Sequence, residues 1–230
     1  MPKVIGLIGS PKGARSNSKE IADYLLGKLT DQGFETEMVS VYSEHRRDPE
    51  FKRVIEKLND ADLVTLVFPL YIDSLPARLI RLLELVYMNR RENKKDRRFI
   101  AICQSGFPEQ HQNHLALEMC RKFAEMSDFR WAGGIPIGAG SIVGEQDLVE
   151  AKGRVYFIRN ALDMAVEAII GNEEIPEEVA VAASKLPVPA WLYRLIGNSS
   201  WKQRAKQNGL RKRDLFASPY ETTREGRIRK

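Results

Sequence analysis

Hydrophobic residues along the chain form short continuous runs that alternate with segments where they recur at helical spacing. The run at 3–9 predicts a strand buried on both faces, and the apolar positions of 21–29 predict a helix that ends at Gly33. The alternation predicts further strands at 35–42, 62–68, 99–103 and 135–137, and further helices at 49–58, 76–88, 111–127 and 152–171. This order predicts an α/β fold with a doubly wound five-stranded parallel sheet, because right-handed crossovers place helices on both faces.

Two of the strands differ in character, which predicts their places in the sheet. Segment 62–68 is almost continuously apolar, as expected of a central parallel strand, whereas 35–42 alternates and is typical of an edge strand. In such open sheets ligands bind outside the carboxyl ends of the strands. The loops most relevant to function are therefore 9–17, 69–75 and 104–110, each of which directly follows a predicted strand.

The first loop has the composition of an anion site. It reads Gly-Ser-Pro-Lys-Gly-Ala-Arg-Ser-Asn and leads into a helix, whose unpaired N–H groups and dipole favour a phosphate. The spacing matches neither the Walker A loop nor the Gly-x-Gly-x-x-Gly fingerprint, which disfavours a nucleoside triphosphate or a classical dinucleotide fold. A helix cap without any ligand would explain the same residues.

The other two loops carry apolar side chains where polar ones are usual. Leu70, Tyr71 and Ile72 would suit a flat aromatic ring system held by loop backbone, or would pack on a helix or a second subunit. In the third loop Gly106 permits close approach of a ligand, and Phe107 offers a wall beside it.

The first two loops resemble those of a known family. Gly9-Ser-Pro-Lys followed by Ser16-Asn-Ser, and Pro69-Leu-Tyr followed by Ser74-Leu-Pro-Ala, are similar to the flavodoxin-like NAD(P)H-dependent FMN reductases and related quinone reductases. The resemblance spans residues 3–171. It implies a flavodoxin-like sheet with strand order 2-1-3-4-5, FMN at the switch point, NAD(P)H as electron donor and a homodimer.

Carried over by position, the resemblance also implies which residues bind FMN. The phosphate would be held by residues of the first loop and the helix start, namely Ser10, Ser16, Asn17 and Ser18, with Lys12 near it. The isoalloxazine would be flanked by residues of the other two loops, namely Pro69, Leu70, Tyr71, Ile72, Ser105, Gly106 and Phe107. The flavin would carry the chemistry, so no separate catalytic residue is expected.

The resemblance implies an FMN-dependent NAD(P)H oxidoreductase that reduces a quinone, a free flavin, a nitroaromatic or another small electrophile. Two alternatives on the same scaffold are a flavodoxin-like electron carrier and a flavin-binding regulatory protein. Carriers of this kind are usually acidic, which the near-neutral body described next does not match.

Charge divides the chain into a body and a basic tail. The 230 residues hold 36 Lys and Arg against 31 Asp and Glu, but residues 201–230 alone hold ten basic and three acidic residues. The segment Glu173-Glu-Ile-Pro interrupts the domain pattern, which predicts a domain at 1–172, flavodoxin-like by the resemblance, and a helical extension with a basic tail at 173–230. Four apolar residues recur at helical spacing in the extension: Trp191, Leu192, Leu195 and Ile196. They predict docking on the domain or a dimer partner, ahead of a peripheral membrane contact; binding to nucleic acid is not expected.

The sequence also argues against a membrane-spanning protein, a secreted protein and a metalloprotein. No apolar stretch is long enough to cross a membrane and no signal peptide opens the chain, so a cytoplasmic enzyme is expected. Two cysteines, Cys103 and Cys120, do not make an iron–sulfur or zinc-finger site. His111 and His114 stand at helical spacing without further ligands, so no metal site is expected.

Overall fold

Five parallel strands form one sheet in the computed structural model, which describes residues 1–42, 51–89, 96–143, 155–186 and 188–217, together with residues 148 and 153. The strands are β1 (Lys3–Ile8), β2 (Glu35–Ser40), β3 (Leu63–Pro69), β4 (Arg98–Gln104) and β5 (Arg130–Ile137). The helices are α1 (Asn17–Asp31), α2 (Phe51–Asp60), α3 (Ala77–Met88), α4 (His114–Met126), α5 (Tyr156–Ile170), α6 (Glu177–Ala183) and α7 (Ala190–Gln207).

The strand order is β2-β1-β3-β4-β5, the flavodoxin-like order that the resemblance implies. All four pairings are parallel. The apolar β3 lies at the centre and is buried along its whole length, and the alternating β2 lies at an edge, as the sequence predicts. The α/β fold class and the doubly wound sheet are confirmed.

Two apolar cores lie on opposite faces of the sheet. One core joins α1 and α5 to residues such as Val4, Val67 and Ile135, and the other joins α2, α3 and α4 to residues such as Ile5 and Phe68. Neighbouring residues of one strand serve different cores because side chains of a β-strand alternate between its faces. Helices therefore cover both faces of the sheet, with α1 and α5 on one face and α2, α3 and α4 on the other.

The boundary that differs most from the prediction is the start of β5. β5 begins at Arg130, five residues before the predicted 135, because Gly133 and Gly134 interrupt its apolar pattern without interrupting its pairing with β4. A bulge beside the pair Phe99 and Trp131 accommodates the irregular stretch. Residues 49–50, 152 and 154, which belong to the starts of two predicted helices, lie outside the described residues.

The chain divides into two compact units, Met1–Pro187 and Val188–Lys230, and the segment that follows residue 172 lies in the first of them. The intervening segment belongs to the first unit because it packs against β5 and α5: Ile175 donates its N–H to the carbonyl of Ala132 at 2.7 Å, and α6 buries Val179. A Cβ at Gly133 would lie 2.6 Å from Ile175 Cβ, so glycine at that position permits the close approach. The sequence after Gly171 gave no sign that the chain returns to the sheet at this point.

The second unit contains α7 and a short 3-10 segment, Lys212–Phe216. α7 confirms the predicted helix of the extension, but it has no buried residue, and Trp191, Leu195 and Ile196 are exposed. Among the described helices of the whole chain, none combines the length and the apolar character that crossing a membrane requires.

Candidate functional site

Hydrogen bonds connect the loops that follow four of the five strands. Leu70 donates its N–H to the carbonyl of Gln104 at 2.9 Å, which joins the loop after β3 to the end of β4. Ser105 in turn donates to the carbonyl of Ile137 at 3.0 Å, which joins the loop after β4 to the end of β5. Because the carboxyl ends of parallel strands share one edge, the three predicted loops form a single surface there.

The first loop closes on the start of α1. Ser16 caps the helix: its Oγ accepts the N–H of Lys19 at 3.2 Å and donates to the carbonyl of Gly13 at 2.8 Å. Ser10 is almost fully buried, and its Oγ accepts the N–H of the exposed Lys12 at 3.4 Å. The loop is thus held in shape by its own hydroxyls before any ligand is considered.

Asn17 has a contact that the sequence did not indicate. Its Nδ2 donates to the carbonyl of Gly140 at 2.8 Å, across 123 residues of chain. The bond ties the first loop to the loop after β5, which the sequence analysis had not included in the site. Asn17 therefore shapes the site, whatever its side-chain oxygen binds.

Among the residues predicted to bind the phosphate, Ser18 has an unusual hydroxyl. It lies in the first turn of α1 and is fully buried, yet its Oγ has no hydrogen-bond partner among the described residues. A buried hydroxyl without a partner costs free energy, so such a group is more common where a ligand completes it. It stands beside the unpaired N–H groups of a helix start, where a phosphate would supply acceptors.

The second loop displays apolar groups on a tight turn. Tyr71 and Ser74 exchange backbone hydrogen bonds of 2.9 and 3.1 Å, with Ile72 and Asp73 at the tip in the left-handed conformation, φ 49° and 57°. Ile72 is 98% exposed and Tyr71 is 45% exposed. A β-branched residue rarely adopts positive φ, and such strain is found most often at binding sites.

The third loop is open on one side and packed on the other. An added Cβ at Gly106 would meet nothing within 4 Å, whereas one at Gly138 in the loop after β5 would lie 2.6 Å from the carbonyl oxygen of Pro108. Phe107 is exposed, and its carbonyl accepts the N–H of Ala139. Gly106 thus leaves room for a ligand, while Gly138 lets the two loops touch.

Two residues next to the second loop were missed by the sequence analysis. Tyr42 follows β2, and Arg78 lies in the first turn of α3. Burial raises the pKa of the Tyr42 phenol; the backbone N–H of Arg78 opposes the rise, and the nearby Tyr71 phenol adds to it. The three side chains therefore lie close together at the carboxyl edge.

The cysteines offer no thiolate nucleophile. Cys103 and Cys120 are free and fully buried, and burial raises the pKa of both thiols well above the usual range. Among the described residues, no group of three or more His, Cys, Asp and Glu side chains is placed to hold a metal ion.

A family model described as NADPH-dependent FMN reductase matches residues 2–137, which is more than half of the chain and includes all three predicted loops. The chain belongs to this family. The reductase is therefore an NAD(P)H-dependent flavin oxidoreductase with FMN as its cofactor. A comparison with curated proteins gives no match.

Solved structures of low sequence identity share the fold. The FMN-dependent NADH-azoreductase of Bacillus anthracis, solved with FMN, is 14% identical with a TM-score of 0.50 over 74% of this chain and 99% of that one. A candidate quinone reductase from Klebsiella pneumoniae is 14% identical with a TM-score of 0.54 over 76% and 88%. RosB, solved with a bound riboflavin-phosphate intermediate, is 15% identical with a TM-score of 0.57 over 97% and 92%.

The residues at the carboxyl edge fit FMN. A phosphate would suit the start of α1, where the Ser18 hydroxyl lacks a partner among the described residues, and a flat ring would suit the open space at Gly106, next to the exposed Phe107. When bound, FMN would supply the transfer of hydride or electrons. The assignment of individual residues to it is a prediction, which the following experiments test.

Proposed function

We propose that this reductase uses NAD(P)H and FMN to reduce a small electrophile, such as a quinone, a free flavin or a nitroaromatic compound. The observation that carries the proposal is the exposed apolar rim of the site, Tyr71, Ile72 and Phe107. An open rim of this kind admits planar molecules of different shape to the same face. It supports an exchange in which donor and acceptor occupy one site in turn.

The chain's own residues would act by binding and orientation. The backbone of the second and third loops would position the flavin ring, and the side chains of Tyr71 and Phe107 would stack on whichever planar substrate enters. The buried thiols contribute no nucleophile, which agrees with chemistry carried by the cofactor.

Anaerobic absorbance measurements test the proposal directly. The purified reductase with added FMN is expected to show a bound-flavin band that bleaches with NADPH or NADH and returns on addition of a quinone. The donor that bleaches faster is the preferred one. A bound flavin that neither nucleotide reduces would support the electron-carrier alternative, and absence of any flavin binding would contradict the proposal.

We also propose that the reductase is a homodimer formed through the face of α3 and α4. A groove of about 340 Å³ lies between these helices and is lined by Leu75, Ile80, Leu83, Glu84, Tyr87, Met119, Lys122, Phe123, Met126 and Ser127. Its lining is mainly apolar, and Met126 is 56% exposed. The groove reaches the second loop, since Ser74 Oγ lies 3.7 Å from Met119 Sδ. A second copy of this chain bound in the groove would lie beside the flavin site. This position favours a second copy over an unrelated protein as the occupant.

The double change Met119→Glu and Met126→Glu is expected to convert the dimer to a monomer, because two carboxylates would have to be desolvated in the interface. Light scattering during size-exclusion chromatography measures the result. The matched control is Met88→Glu, an exposed methionine at the end of α3 that does not line the groove. A wild-type protein with the mass of one chain would contradict the proposal.

A further inference from the structure

Arg78 carries hydrogen-bond donors that no described residue satisfies. Its Nε and Nη2 atoms are buried and make no hydrogen bond within the described parts of the chain. The guanidinium carbon lies 5.2 Å from the centre of the Phe51 ring and 5.8 Å from that of the Tyr42 ring. The residue as a whole is only partly buried, so its side chain reaches the surface although these two nitrogens are covered.

The two aromatic rings account for the position of the cation but not for its donors. Cation–π attraction acts on the face of the guanidinium, whereas its N–H groups point outward in its plane. Other buried arginines of this chain find acceptors for their terminal nitrogens: Arg97 donates from Nη1 to Asn59 Oδ1, although its Nε has no partner among the described residues, and Arg98 donates to the carbonyls of Ile169 and Glu173. Arg78 differs from both because its Nη2, as well as its Nε, lacks an acceptor in the described parts of the chain.

The position of Arg78 connects it to the site and separates it from the FMN phosphate. It follows the second loop by a few residues, and Tyr42 lies near both it and Tyr71. However, α3 packs on the face of the sheet opposite to α1, whose start is the predicted phosphate position. An anion bound by Arg78 would therefore be a second one, carried by a molecule that approaches the flavin.

We propose that Arg78 binds a phosphoryl group of the nucleotide substrate that occupies the flavin face after FMN is in place. This inference rests on the proposed function, since it requires a nucleotide donor or acceptor at that site. Arginine suits the task because its planar fork binds two phosphate oxygens at once. The phosphate is either on the donor, NADPH or NADH, or on free FMN as acceptor.

Steady-state kinetics of the FMN-loaded enzyme locate the phosphate. Arg78→Met keeps the apolar stem and removes the charge, and Arg78→Lys keeps the charge without the fork. In Arg78→Met, kcat/KM is expected to fall roughly ten- to 150-fold for the substrate whose phosphate is bound, with a partial return in Arg78→Lys. A loss with NADPH alone assigns the 2′-phosphate, and an equal loss with NADH assigns the pyrophosphate. A loss with FMN but not riboflavin as acceptor assigns the acceptor's phosphate.

Direct binding gives a second readout. Calorimetry with adenosine 2′,5′-bisphosphate and adenosine 5′-monophosphate measures the donor fragments without turnover. Arg81→Met is the matched control, because Arg81 lies one turn along α3 with its Nη1 on Glu84 at 3.1 Å; its kinetics should equal those of the wild type. If Arg78→Met remains folded, keeps FMN and shows unchanged constants for all four substrates, the inference is wrong. If the wild type fails to bind FMN or oxidise NAD(P)H, the proposed function itself has failed.

Discussion

Ser18→Ala is expected to weaken FMN binding roughly ten- to 150-fold, which corresponds to about 1.5 to 3 kcal/mol for one hydrogen bond to a charged group. The reason is that the Ser18 hydroxyl lies buried at the start of α1 with no partner among the described residues. A phosphate at that position would accept its proton. Titration of the apoprotein with FMN, followed by flavin fluorescence, measures the dissociation constant.

The same change should leave the stability of the apoprotein unchanged or raise it, because it removes an unsatisfied buried hydroxyl. Thr65→Val is the matched control: Thr65 is fully buried in the central strand, and its Oγ1 also has no partner in the described chain. Thr65→Val should change the stability of the apoprotein but not its affinity for FMN. Equal FMN affinities for Ser18→Ala and the wild type would contradict the phosphate assignment.

Asn17 is a less specific probe of the phosphate site than Ser18. Its Nδ2 holds the carbonyl of Gly140 at 2.8 Å, so Asn17→Ala would release the loop after β5 as well as any ligand contact. Loss of FMN affinity in that variant would not identify the phosphate site. Substitution of Ser18, whose buried hydroxyl has no other partner among the described residues, therefore tests the phosphate site more directly.

The hydrophobic pattern was sufficient for most of the fold, because the inner strands β1, β3 and β4 are buried on both faces, as is usual in a parallel sheet. The continuous run of 62–68 predicted the central strand, and the alternation of 35–42 predicted the edge strand, as the sheet order confirms. β5 was predicted too short for a related reason. Gly133 and Gly134 pair with β4 through backbone groups, which a pattern of side chains does not report.

The loops of the candidate site were predictable, but the contacts that shape them were not. Position after a strand identified Gly106 and the apolar turn at Tyr71, because in this fold such loops always share one edge. The bond between Asn17 and Gly140 joins residues 123 positions apart, and nothing local in either segment signals it. The assignment of these residues to FMN remains a prediction.

Arg78 and Tyr42 were missed because their meaning depends on what surrounds them. In the sequence, Arg78 is one more charged residue at a helix start, where it would ordinarily be solvated. Only the packing of Phe51 and Tyr42 against it buries two of its nitrogens without providing an acceptor. The second unit shows the same limit, since the spacing predicted α7 but does not identify the surface that its apolar residues meet.

Arg97→Met is expected to lower the free energy of unfolding by about 3 kcal/mol, from lost charged hydrogen bonds and a desolvated cation–π contact. Arg97 is 1% exposed, its guanidinium lies 4.4 Å from the centre of the Phe129 ring, and its Nη1 donates to Asn59 Oδ1 at 3.0 Å. Burial lowers the pKa of this arginine, and the nearby Asp128 opposes the shift. For a chain of this size the melting temperature should fall by roughly 6 to 12 °C.

Calorimetric or circular dichroism melts of the apoprotein measure this effect against Arg130→Met. Arg130 forms an exposed ion pair with Asp96 at 3.0 Å, and a pair of that kind contributes roughly 0 to 1 kcal/mol. Arg97 precedes β4, at the end of the sheet away from the three loops, so FMN affinity should be equal in all three proteins. A higher melting temperature in Arg97→Met would contradict the prediction. It would mean that the free-energy cost of desolvating the cation exceeds the stabilisation from its hydrogen bonds to Asn59 and the backbone.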